Sequence, residues 1–184
     1  SVFHSVSAFC NAGIDLMGSK EQFSSLTSYY GNPVINLVIS FLIVFGGIGF
    51  LTWDDMHKCG LKFKKYRLQS KIALATTAVL IIVPALYFYC FEFSRPIWDE
   101  FSASDKVLAS IFQSVTPRTA GFNTVNLDAM SEISQSIMIM LMLIGGSPAS
   151  TAGGMKTTTA AVIIASMFSV FRRRNHAEAF RRRI

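Results

Sequence analysis

The sequence predicts an all-α membrane protein in which short re-entrant helices and irregular loops alternate with full membrane spans. Three observations point there. Hydrophobic residues make up 51% of the 184 and charged residues only 15%, and the apolar residues come in long blocks instead of being spread as in a soluble domain. The basic residues gather in two clusters, each beside an apolar block. A helix-breaking stretch of one design occurs twice: Phe3, Ser5, Val6, Ser7 and Ala12-Gly13 recur as Phe112, Ser114, Val115, Thr116 and Ala120-Gly121, with one residue gapped between the halves. One structural unit is used twice.

Taken in order, residues 1–10 are small, aromatic and hydroxyl-bearing; as a helix they reach roughly 15 Å, half of a ~30 Å hydrocarbon core, so they cannot span. Residues 15–30 are polar, as expected of chain returned to water. Pro33 suits a first helical turn, and 34–53 is an uncharged apolar run interrupted only by Gly46, Gly47 and Gly49, the first expected complete span. The loop that follows carries Lys58, Lys62, Lys64, Lys65, Arg67 and Lys71 against Asp54 and Asp55, which makes it cytoplasmic by the positive-inside rule. Residues 72–91 form the second expected span, with Pro84 to kink it and Tyr87, Phe88, Tyr89 and Phe91 at the outer interface.

Residues 92–105 are acidic, 106–116 are again too few to cross, and 126–132 are acidic once more. A chain that dips in and comes back explains all three; an ordinary surface helix on the outer face is the competing reading. Two apolar segments follow, 133–144 and 160–171, each about 18 Å if helical. The stretch between them, GGSPASTAGGMKTTT, is one no lipid-facing helix would tolerate. Arg172, Arg173, Arg174, Arg181, Arg182 and Arg183 mark a second cytoplasmic end. The chain starts inside a repeat, without an initiator methionine, and reads as an internal segment of a multi-pass cell-membrane protein.

The net charge of +6 does not indicate nucleic acid, because the basic clusters flank spans and carry no interleaved aromatic platform. Cys10, Cys59 and Cys90, and likewise His4, His57 and His176, are isolated in sequence and read as packing residues. A phosphate-binding P-loop fails at 153–157, since Met155 separates Gly154 from Lys156 and a membrane segment precedes it. No carboxylate pair, nucleophile-base pair or metal-ligand cluster offers catalysis.

Irregular backbone at membrane depth is tolerated where protein buries it or where it lines a water-filled cavity, because an unpaired peptide group in lipid costs several kcal/mol. In the two recurring loops Pro117 bars a helix, while Gly13 and Gly121 permit backbone angles a side chain would forbid. Carbonyls turned inward there would replace the hydration shell of a cation. The third place is 145–159, where Lys156 is the only charge and must face water or a partner. It reads as a movable plug, or alternatively as a break that lets helices pack closely. A solute-coupled secondary transporter with a midplane site on a broken helix is the second functional reading, and a non-transporting assembly or sensor subunit the third.

The stretches FHSVSAFCNAGIDLM, SVTPRTAGFNTVNL and GGSPASTAGGMKTTT resemble the Ktr/Trk/HKT superfamily of potassium transporters, most closely the membrane subunit of bacterial Ktr systems. The resemblance implies membrane-pore-membrane repeats with re-entrant pore helices and filter loops. Residues 1–57 would be the pore helix, filter and last transmembrane helix of repeat two, 58–71 a cytoplasmic loop, 72–174 the complete repeat three with its last helix interrupted, and 175–184 a cytoplasmic segment. It further implies potassium held by backbone carbonyls of Asn11, Ala12, Gly13, Thr119, Ala120 and Gly121. An intramembrane gate would comprise Gly145, Gly146, Ser147, Pro148, Ala149, Ser150, Thr151, Ala152, Gly153, Gly154, Met155, Lys156 and Thr157. Potassium is then cargo, sodium an activator, and no covalent cofactor is expected. The implied partners are the remaining repeats of the same polypeptide, a second membrane subunit in a homodimer, a cytosolic nucleotide-binding regulatory ring, and the bilayer.

Overall fold

The computed structural model describes residues 2–17, 25–60 and 62–172, with the backbone of 178–179 and 182–183. Much of the polar stretch after the first loop, and the arginine-rich segment beyond Arg172 apart from one short antiparallel pair (Glu178–Ala179 with Arg182–Arg183), lie outside the described residues. Among the described residues, seven α-helices organise the chain: α1 Val2–Phe9, α2 Pro33–Ile48, α3 Phe50–Cys59, α4 Leu68–Tyr87, α5 Ala103–Val115, α6 Glu132–Leu143 and α7 Thr157–Phe171.

Local chemistry sets most boundaries. The Asn32 side chain accepts from the amides of Val34 and Ile35 at 3.1 and 3.3 Å, with Pro33 as first helical residue of α2. The Ser102 amide donates to the Asp105 carboxylate at 3.2 Å to open α5. At α6 the Ser131 hydroxyl accepts from the Ser134 amide at 3.3 Å, and both hydroxyls donate to Glu92 at 2.6 Å. Glu92 also takes Arg95 at 2.9 Å and the Trp98 indole at 3.3 Å, and is 1% exposed. It therefore ties the end of α4 to the start of α6 instead of lying in an acidic surface loop.

The first expected span, 34–53, is not one helix. It breaks at Gly49, where φ is 95°, and α2 and α3 meet at 92°. A Cβ at Gly49 would lie 2.5 Å from the Pro148 carbonyl oxygen, and the Phe50 amide donates to the Ala149 carbonyl at 2.7 Å. The break is made by another part of the chain packed into it. The basic loop is also shorter than 58–71, because α3 continues to Cys59 and α4 starts at Leu68. The second expected span, 72–91, falls within one continuous helix: α4 runs on through a π-helical turn, Phe88–Glu92, and the combined 25 residues extend about 37 Å. Pro84 does not end it, and the departure from α geometry follows one turn later.

Among the described residues, Leu68–Glu92 is the one helix long and apolar enough to cross a membrane alone; α2 and α3 pass together as a bent pair, and α6 and α7 are shorter apolar helices. α1, α2 and α5 pack together, with α4 against α5 and α7. The inner core joins Ala8, Leu26, Ile39, Ile43, Phe112, Val115, Ala120 and Phe122, so the two recurring units share one core. A second cluster, including Phe88, Phe93, Trp98 and Met138, lies around the α4–α6 junction. Phe41, Val79, Val83, Leu86, Met140, Phe168 and Phe171 face outward, as apolar side chains do in a chain solvated by lipid.

Candidate functional site

The two recurring loops leave α1 and α5 in the same way. Each places two residues in the left-handed region, one at the glycine and one two positions before it: Asn11 at φ 52° and Gly13 at 66°, Thr119 at 70° and Gly121 at 83°. Asparagine tolerates this region, but a β-branched threonine there is strained, by roughly 1–3 kcal/mol. The backbone hydrogen bonds correspond too. The Ala12 amide donates to the Ser7 carbonyl and the Ala120 amide to the Thr116 carbonyl, both at 3.0 Å.

The loops meet at their glycines. A Cβ on Gly13 would stand 2.3 Å from the Ala120 carbonyl oxygen and 2.9 Å from the Gly121 Cα, and one on Gly121 would stand 3.1 Å from the Gly13 Cα. Ala12, Thr119, Ala120 and Gly121 border a cavity of about 280 Å³ that Met138 and Met142 of α6 also line. Asn11 is buried, and neither its Oδ1 nor the Thr119 hydroxyl has a hydrogen-bond partner among the described residues.

The stretch between α6 and α7 is irregular from Ile144 to Lys156, and Thr157, expected within it, is already the first residue of α7. Its neck is pinched. Ile144 and Met155 form a parallel bridge, and Gly145 donates to the Met155 carbonyl at 3.0 Å. A Cβ on Gly145 would lie 1.8 Å from the Gly153 carbonyl oxygen, so only glycine fits. The Ser147 and Thr157 hydroxyls share a hydrogen bond at 3.0 Å. Lys156 Nζ donates to the Ala152 carbonyl at 2.7 Å, so the cation is held by the loop's own backbone.

The far side of this stretch fits the break between α2 and α3. The Ser147 amide donates to the Gly47 carbonyl at 2.9 Å and the Thr151 amide to the Gly46 carbonyl at 3.3 Å; these are carbonyls a helix end leaves free. The Thr151 hydroxyl donates to the Phe9 carbonyl at 2.8 Å and accepts from Asn11 Nδ2 at 3.0 Å. A Cβ on Gly46 would fall 2.0 Å from that same Phe9 oxygen. All three expected irregular stretches thus converge, the first loop touching both of the others.

One residue, Arg118, escaped sequence reasoning, and Thr151 stood in the expected gate without its contacts being foreseen. Arg118, within the second recurring loop, is 5% exposed and donates to the Thr77 hydroxyl of α4 at 3.4 Å. Its place in the motif was visible, its burial was not. Thr151 was one residue of a long loop, and nothing in the sequence distinguished it as the contact to Asn11 and Phe9.

The family of TrkH cation transport proteins matches residues 1–184. The chain belongs to that family. It is 41% identical to the Ktr system potassium uptake protein B of Bacillus subtilis and 39% identical to the potassium/sodium uptake protein NtpJ of Enterococcus hirae, in each case over the whole chain and 40% of the relative. It therefore spans about two-fifths of the length of these curated relatives. The crystal structure of the potassium transporter TrkH from Vibrio parahaemolyticus superposes with a TM-score of 0.71 at 20% identity, over 92% of this chain and 35% of that one. That likeness shows the fold, which is predominantly helical, and the family match places the chain among membrane proteins.

Proposed function

We propose that this chain supplies two walls of a potassium-conducting path, formed by the backbone of Asn11, Ala12 and Gly13 and of Thr119, Ala120 and Gly121, and that 145–157 closes the path from beneath as a gate. The observation that carries the reading is the matched pair of left-handed residues in each loop, with the loops in contact at their glycines. Successive carbonyls in such a backbone can face one axis and stand in for an ion's water shell. In this reading 1–57 is the pore helix, filter and last helix of one membrane-pore-membrane repeat. Residues 72–174 form the next repeat, joined to the first through the cytoplasmic loop 58–71, and 175–184 is cytoplasmic. The remaining walls come from further repeats of the same polypeptide. A homodimeric membrane subunit, a cytosolic nucleotide-binding ring and activation by sodium belong to the same proposal; the names of the relatives, a Ktr-system potassium uptake protein and a potassium/sodium uptake protein, support only that potassium is the cargo and that the subunit works within a larger system.

The test is potassium uptake by transport-deficient cells expressing the full-length protein that carries this chain, wild type against Gly121→Ser, with sodium as competitor. Rescue by wild type and sodium-sensitive failure of the variant are expected. Equal rescue at equal membrane abundance would remove the filter assignment and favour the alternative of a solute-coupled site on the broken helix.

A further inference from the structure

In both recurring loops a hydroxyl from the end of the preceding helix is bonded to the peptide that follows the loop glycine. In the first, Ser7 Oγ donates to the Ile14 carbonyl at 2.8 Å and accepts from the Ile14 amide at 3.0 Å. In the second, Thr116 Oγ1 donates to the Phe122 carbonyl. Ile14 and Phe122 each directly follow the loop glycine, and Ser7 and Thr116 are 6% and 3% exposed. The bond recurs although the first loop is one residue longer. The hydroxyl is therefore matched to the peptide after the glycine, and not to a fixed chain spacing.

We propose that Ser7 and Thr116 are selectivity-positioning residues: each hydroxyl holds the carbonyl after the loop glycine out of the ion path, and so fixes which carbonyls a potassium ion meets. This rests on the filter reading above. A carbonyl has one attractive partner at a time for each lone pair, and a buried one without a donor is left unsatisfied. Without the hydroxyl, the Phe122 oxygen is free to swing toward the cation. Discrimination between potassium and sodium depends on the number and field strength of the coordinating carbonyls, so an added or displaced oxygen degrades it. The hydroxyls themselves touch no ion; they act through the backbone they hold.

The experiment compares wild type, Thr116→Val, Thr116→Ser and Gly121→Ser in the full-length protein. It reads the KM for potassium, the inhibition constant for sodium, the maximal rate and the membrane abundance. Thr116→Val keeps the side-chain shape and removes the donor; the ratio of sodium to potassium constants is expected to fall on the order of tenfold, the worth of one such hydrogen bond. Thr116→Ser is expected to restore it. A role confined to folding would lower maximal rate with abundance and leave that ratio untouched, which overturns the proposal. A shifted ratio in Gly121→Ser with an unshifted one in Thr116→Val overturns the proposal while leaving the filter reading standing. Unshifted ratios in both overturn the two together. Should Thr116→Val not reach the membrane, Ser7→Ala removes the corresponding bonds in the first loop and is judged by the same ratio.

Discussion

Replacing Thr151 with valine isolates the contact between the irregular stretch 144–156 and the first loop. The threonine hydroxyl donates to the Phe9 carbonyl at 2.8 Å and accepts from the Asn11 amide at 3.0 Å. Valine fills the same volume and makes neither bond. The Asn11 amide keeps only a 3.5 Å contact to the Ile43 carbonyl. Two bonds of ordinary net value come to about 2 kcal/mol in favour of the docked loop, which is about 30-fold in the ratio of docked to undocked forms. A loop undocked about 1% of the time would then be undocked about a fifth of the time. If that loop is the gate, initial potassium uptake by cells expressing the full-length variant rises many-fold, and Thr151→Ser restores the wild-type rate. An unchanged rate at equal membrane abundance would refute the reasoning. A lower rate with altered potassium-sodium preference would reassign Thr151 to support of the first loop.

Gly46→Ala puts a Cβ 2.0 Å from the Phe9 carbonyl oxygen and 2.9 Å from the Thr151 hydroxyl. Overpacking against backbone should cost at least about 1–3 kcal/mol, read as a lower thermal midpoint in detergent or as loss of the protein from the membrane. Gly60→Ala separates strain from clash: nothing lies within 4 Å of its Cβ, but φ 56° with ψ −142° is a conformation essentially reserved for glycine, so a loss of roughly 1–3 kcal/mol is expected from the backbone alone. Glu92→Gln removes the charge from an acceptor serving Ser131, Ser134, Trp98 and Arg95. A loss of about 1.5–3 kcal/mol is expected from weakening charge-assisted bonds, measured by thermal unfolding in detergent, with potassium-sodium preference unchanged.

What the sequence made legible was what neighbouring residues determine. The recurrence of Phe, Ser, Val and Ala-Gly was visible by inspection because helix end, hydroxyl and glycine all fall within a dozen residues. The apolar run of α4 and the interruption between α6 and α7 were equally local. The break at Gly49 was not, since three glycines in an apolar run suit close packing as well as a bend. It is decided by Pro148 and Ala149, about a hundred residues away. Glu92 misled for the same reason. A glutamate after an apolar span looks like the start of a water-exposed loop, and its burial depends on Ser131 and Ser134, which arrive from the next helical unit. The six loop residues expected to face the ion do lie together in two touching loops, but their contact across Gly13 and Gly121 could be seen only in three dimensions.

The end of α2 also bears on how the protein is made. Its carbonyls at Gly46 and Gly47 receive donors from Thr151 and Ser147, residues synthesised about a hundred positions later. Until that segment is in place, these two carbonyls lack the donors that cap them in the finished fold. The two units are thus not sequential modules that fold one after another. The first unit reaches its final form only when the second completes it.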